Sequence, residues 1–144
     1  GGNMAIAQGY KSLFLTNQEG QILPTHSLSA GLDYPGIGPQ LAHLGKTERI
    51  EFTSATDSEA YDALSFFAKN EGLLFALESA HAAAEVIKRA PKLKKEEVIV
   101  LHMSGRGDKD LFITSPLKNP QGWVDFLQSE KERVETEIKK GGKK

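Results

Sequence analysis

Two residues in this chain stand out for the chemistry they could do: a carboxylate in apolar surroundings and a hydroxyl at the mouth of a glycine turn. The carboxylate is Glu78, preceded by Leu73-Leu74-Phe75-Ala76-Leu77 and followed by the small Ser79 and Ala80. A carboxylate so placed either stabilises the positive end of a helix or stands ready to exchange a proton. The hydroxyl is Ser104, heading Ser104-Gly105-Arg106-Gly107-Asp108. It can donate to a ligand atom or cap a helix. Gly105 and Gly107 permit positive φ and the close approach of a backbone to a ligand. The four histidines, His26, His43, His81 and His102, show neither HxxxH nor HExxH spacing, which argues against a zinc site. Ser104 lacks the G-x-S-x-G elbow and a local base that a Ser-His-Asp nucleophile needs. With no cysteine in the chain, a thiolate nucleophile or metal ligand is excluded.

These residues need elements to hold them. Val98 to Leu101 is a β-branched run that reads as a strand buried on both faces, opening into the Ser104 turn. Open α/β sheets hold small molecules at such carboxyl ends, although an ordinary turn has the same spelling. Ile50 to Ala55 alternates as a strand does. Thr56 and Glu59 then carry a capping-box signature for a helix with Tyr61, Leu64, Ser65, Phe67 and Ala68 on one face, closed by Gly72. The apolar run from Leu73 to Leu77 is too short to classify by itself, and beyond Glu78 a helix of high propensity must end before Pro91. Upstream, Tyr10 to Leu15 and Gln21 to His26 read as a hairpin about Asn17–Gly20. Ser27 to Pro39 holds too many glycines and prolines for regular structure and forms a shaped loop. Pro39 starts a short helix that Gly45 ends. Near the end, Pro116 and Pro120 bracket a loop. A solvated helix follows, with Trp123, Leu127, Val134 and Ile138 on one stripe, docked through Trp123 and Phe126, and Gly141 to Lys144 fray.

With 144 residues, 39% hydrophobic and 26% charged, the chain suits one domain or one part of a larger enzyme. Eighteen basic residues against nineteen acidic ones give a net charge of -1, so nothing points to nucleic acid or an anionic membrane. No apolar run reaches the roughly 20 residues of a membrane span, and the composition is compatible with the cytosol. The expected architecture is α/β: three layers, with a mostly parallel sheet (strands near 50, 73 and 98) flanked by helices, and a C-terminal helix. Residues 1–8 read as a cut end or tag remnant, 9–115 as the α/β portion and 116–144 as a loop and helical extension.

Three strings carry a resemblance. HSLSAGLDYPGIGP (His26 to Pro39), EGLLFALESAHA (Glu71 to Ala82) and SGRGDKD (Ser104 to Asp110) closely resemble, in order and spacing, motifs of the tryptophan synthase β chain. The likeness runs from about Gly9 to Asp110. It implies the last third of a cytoplasmic, fold type II, pyridoxal-phosphate lyase that joins L-serine and indole into L-tryptophan and water. It also implies partnership with a second β chain, a tryptophan synthase α chain and the N-terminal part of the β chain. By this resemblance Ser104 meets the cofactor's pyridine nitrogen, where a neutral hydroxyl favours β-elimination and replacement over transamination. Gly105 shares that turn. Glu78 matches the family's catalytic carboxylate beside the indole site, Asp33 its substrate-closure residue and Gly31 the same pocket wall. Backbone carbonyls at Tyr34 and Gly36 match part of a monovalent-cation site. Two family features have no counterpart: the Schiff-base lysine in its His-Lys-x-Asn context and the GGGSNA phosphate loop. The resemblance therefore implies a chain inactive by itself. The alternative is a stand-alone, non-catalytic remnant that binds a small ligand or partner without turnover.

Overall fold

Phe14 is the anchor of the amino-terminal structure. A computed structural model of the chain describes residues 2–141. In it, strands β1 (Asn3–Ala7) and β2 (Tyr10–Phe14) pair antiparallel, from Asn3 opposite Phe14 to Ala7 opposite Tyr10. Gln8 and Gly9 close the pair with positive φ at both positions (49° and 84°), the combination a two-residue hairpin turn requires. Ser12 and Phe14 point inward at 1% exposure. Against them lies the segment around Gly36: Leu15 N–H donates to the Pro35 carbonyl at 2.7 Å and Ile37 N–H to the Leu13 carbonyl at 3.1 Å. The hairpin expected between Tyr10–Leu15 and Gln21–His26 is therefore replaced. β2 pairs instead with residues 3–7, a stretch whose sequence suggests only a terminal remnant. Only a single Thr16–Ile22 bridge survives of the expected return strand. The Asn17 side chain folds that turn by accepting the Glu19 and Gln21 N–H groups, and Pro24 offers no N–H to extend a ladder.

Helix α1 (Pro39–Lys46) starts at its proline but runs past the expected stop at Gly45. Thr47 Oγ1 caps it on the His43 carbonyl at 2.9 Å, and Glu48 takes the left-handed turn. Helix α2 (Asp57–Glu71) opens with the expected capping box: Thr56 Oγ1 accepts Glu59 N–H at 3.2 Å while Glu59 Oε2 accepts Thr56 N–H at 2.8 Å. Gly72 closes it at φ 67°. The buried stripe is Ala60, Ala63 and Leu64, with Tyr61, Ser65 and Phe67 at its half-buried edge and Ala68 outside it. Helix α3 (Leu77–Arg89) packs on α2 through Leu77, Ala80, Ala83 and Ala84, and ends before Pro91 as expected. Lys88 of α3 meets Glu59 at 2.8 Å. That cation, with the Thr56 N–H, holds the Glu59 carboxyl below its ordinary range. The contact thus stabilises the fold above the unfolded carboxyl's pKa and fades as pH falls through the folded one. Replacing Thr56 with Ala is expected to cost about 1 kcal/mol, the usual size of a lost N-cap. Urea unfolding measures it, and an unchanged midpoint would mean the box carries no weight.

The described residues comprise five α-helices and one two-stranded antiparallel sheet, an α/β composition. They hold no parallel pairing near 50, 73 and 98, which corrects the expected strands there. Phe75 makes one isolated antiparallel bridge to Arg106, and Leu77 already belongs to α3. Residues 51–55 form neither helix nor strand and are held to α3 where the Arg89 guanidinium forks onto Glu51 at 2.7 and 3.1 Å. Val98 and Val100 are 85% and 90% exposed, not buried on both faces. The physical reason is plain: a strand is defined by its neighbours, and among the described residues these segments have none beyond the single Phe75–Arg106 bridge.

Among the described residues, 107–141 form a second compact unit. Within it, helix α4 (Leu111–Lys118) runs through Pro116, where a loop was expected. The proline only forfeits one backbone donor near the end of a short helix. Asn119 Oδ1 then accepts Gly122 N–H at 3.0 Å to open α5 (Pro120–Gly141). Trp123 packs edge-on to Phe112 and against Phe126, while Leu127, Val134 and Ile138 stay exposed. Of the residues expected to fray, Gly142–Lys144 lie outside the described ones. No helix among the described residues is long and apolar enough to cross a membrane.

Candidate functional site

The first turn of α3 gathers most of the residues singled out above. Ala76 is its N-cap and offers no side-chain acceptor, so the turn's partners come from elsewhere in the chain. Glu78 sits in that turn, where the helix dipole favours a carboxylate. Its Oε1 accepts the Gly31 N–H at 3.1 Å. A Cβ at Gly31 would lie 2.7 Å from that oxygen and 2.9 Å from Glu78 Cγ, so the contact requires glycine. The shaped loop and the helix-start carboxylate are thereby one unit.

Ser104 arrives at the same turn by another route. Its N–H donates to Ser79 Oγ at 3.0 Å, its carbonyl accepts the Ser79 hydroxyl at 2.7 Å, and the two hydroxyls are 3.0 Å apart. Gly105, at φ 72°, turns its carbonyl onto Ala76 N–H at 3.3 Å, and Arg106 bridges Phe75. Ser104 itself is exposed and Glu78 half-buried, so both can be reached from outside.

Asp57, at the start of α2, secures the loop from behind. Its Oδ1 accepts Ser27 Oγ–H and Leu28 N–H, each at 3.1 Å, and lies 3.6 Å from His81 Nε2. His81 Nδ1 stands 2.9 Å from the Leu77 carbonyl, which can only accept, so Nδ1 carries the proton. Here the carboxylate sits between hydroxyl and imidazole, the wrong order for a nucleophilic triad, and Ser104 pairs with Ser79 instead. Ser29 is 1% exposed, and its hydroxyl has no partner among the described residues.

Asp33, Tyr34 and Gly36 lie further along the loop. Asp33 is exposed just after the short helix Ala30–Leu32. The Tyr34 hydroxyl donates to Gln8 at 2.6 Å and pairs with Tyr10 at 3.2 Å. Gly36 packs on the Phe14 ring; since Pro35 and Ile37 hold the bonds to β2, the Gly36 carbonyl points the other way. The structure thus joins Gly31, Glu78, Ser104 and Gly105, and leaves Asp33, Tyr34 and Gly36 beside them on one loop. Sequence reasoning missed Ser79 and Asp57. The capping box marked Asp57 only as a helix residue, and Ser79 carried no signal beyond its small size next to Glu78.

An exposed neutral hydroxyl and a half-buried carboxylate, each anchored to the same helical turn, suit the ring and substrate side of a pyridoxal-phosphate site. The phosphate cradle and the cofactor-holding lysine have no counterpart in the three motifs.

No family model matches the chain. Over 129 residues it is 57% identical to the tryptophan synthase beta chain of Helicobacter hepaticus, a match covering 90% of this chain and 30% of that protein. Over 119 residues it is 51% identical to the tryptophan synthase beta chain of Fusobacterium nucleatum subsp. nucleatum, covering 82% of this chain and again 30% of the relative. The chain spans under a third of the length of these curated relatives.

Proposed function

Because this chain is a homologue of part of the tryptophan synthase β chain, we propose that it forms the C-terminal portion of such an enzyme. The reaction is pyridoxal-phosphate-dependent: L-serine and indole give L-tryptophan and water. The observation that carries this reading is the meeting of Gly31, Glu78 and Ser104 on the first turn of α3. When bound, the cofactor supplies an electron sink for the bonds at the amino acid's α-carbon. Ser104 would present a neutral hydroxyl to the cofactor's ring. Glu78 holds and moves the proton, at the serine hydroxyl as it departs as water and at indole as it adds. Gly31 N–H keeps the Glu78 carboxylate aimed. Asp33 closes over substrate, and the Tyr34 and Gly36 carbonyls contribute to a monovalent-cation site.

The remaining segments of the β chain would bring the lysine, the phosphate loop and the rest of a parallel sheet. An open groove of about 480 Å³ runs between 51–53 and 98–100 over Val86 and Arg89 of α3, flanked by two segments without strand partners among the described residues. A strand laid there would cover Val98 and Val100, restoring the three-layer arrangement. A stand-alone remnant would leave this apolar surface in water, which disfavours it. The fuller enzyme is cytoplasmic, pairs with a second β chain and receives indole from an α chain.

Mixing tests the reading. The 144-residue chain with pyridoxal phosphate, serine and indole is expected to make no tryptophan and to fix no cofactor to one specific lysine on borohydride reduction. Adding the N-terminal portion of a β chain restores tryptophan formation. Turnover by the chain alone, or none in the mixture, would overturn it.

A further inference from the structure

We propose that Ser79, adjacent to Glu78, is the positioning residue for Ser104. A serine hydroxyl has one proton and two acceptor sites. Ser79 Oγ accepts the Ser104 N–H at 3.0 Å, donates its proton to the Ser104 carbonyl at 2.7 Å and lies 3.0 Å from the Ser104 hydroxyl. Its proton and one acceptor site are thus committed to one residue 25 positions away. Ser79 is 4% exposed within helix α3, so its hydroxyl is firmly seated, whereas Ser104 is exposed in a turn that next touches the chain at the Gly105 carbonyl and the Arg106 bridge. The consecutive pair Glu78-Ser79 then works as a clamp: Glu78 takes the Gly31 loop and Ser79 takes the Ser104 turn. The spacing between carboxylate and hydroxyl is set by one helical turn, not by two loops.

The consequence for the cofactor rests on the function proposed above; the clamp itself does not. Hydrogen exchange read at the Ser104 amide of the 144-residue chain tests the clamp. Ser79→Ala is expected to speed exchange there roughly three- to tenfold, the equivalent of one net hydrogen bond, with α2 amides unchanged. Ser79→Thr, which keeps the hydroxyl, restores the slow rate, and Ser104→Ala, which keeps both backbone bonds, leaves it slow. Should Ser79→Ala fail to fold, the wild-type chain still decides: a Ser104 amide exchanging at the unprotected rate overturns the proposal. In the reconstituted enzyme, affinity for pyridoxal phosphate falls in Ser79→Ala and returns in Ser79→Thr; an unaffected affinity overturns the positioning role. If the wild-type mixture makes no tryptophan while the exchange pattern holds, the functional reading fails and the clamp stands.

Discussion

Glu78→Gln in the reconstituted enzyme is expected to lower tryptophan formation by about 10²–10⁴-fold, the usual contribution of a general acid–base group. Glutamine keeps an oxygen to accept the Gly31 N–H, so the loop stays docked. Stability should change by no more than about 1 kcal/mol, the size of a lost helix-dipole interaction. The swap therefore separates two roles that local sequence leaves open. A carboxylate that merely stabilises the start of α3 shows its loss in unfolding, whereas one that transfers a proton shows it in turnover. Activity within about threefold of wild type, under roughly 1 kcal/mol in barrier, would retire the catalytic role.

Gly36→Ala has the largest expected effect on folding. The added Cβ would overlap the Cδ1 and Cε1 edge of the Phe14 ring, which is 1% exposed and backed by Tyr10 at a centroid distance of 5.4 Å. The backbone bonds at Leu15 and Ile37 hold the two segments together, so the strand and the loop cannot simply part. Overpacking of this kind costs typically about 1–3 kcal/mol, and the upper end applies where neither partner can yield. A loss of about 3 kcal/mol in urea unfolding, with the midpoint of thermal unfolding lowered by roughly 10 °C, is the result to look for. Shrinking the ring in a Phe14→Leu, Gly36→Ala double variant should cost less than the two single losses added together. A single-variant loss below about 0.5 kcal/mol would show that the pair is not closely packed. The same residue lies in the loop proposed above to contribute to a cation site, so a fall in activity must be measured on folded protein.

Local interactions are legible along the chain itself. Thr56 and Glu59 determine the start of α2 and Gly72 its end, because capping needs only residues within one turn of each other. Pro91 stops α3 for the same reason. The strings around Asp33, Glu78 and Ser104 resemble those of the tryptophan synthase β chain, and that resemblance names the residues to look for. Contacts over distance are what sequence misleads on. Alternation in Ile50–Ala55 and apolarity in Val98–Leu101 describe segments able to be strands, and a sheet exists only where a neighbour supplies the other half of each hydrogen bond. Pro116 reads as a breaker, although in a short helix it removes only one donor.

What tertiary structure alone decided is which groups face each other. Nothing in the spacing of Ser79 and Ser104 foretells their three contacts, and nothing in Gly36 names Phe14 as the ring that forbids a side chain there. Sequence by itself determined the caps, the helix limits and the family strings, since each depends on neighbours along the chain. The convergence on the first turn of α3 depends on how loops 27–38 and 102–106 fold back across it, and only the packing of the whole chain sets that.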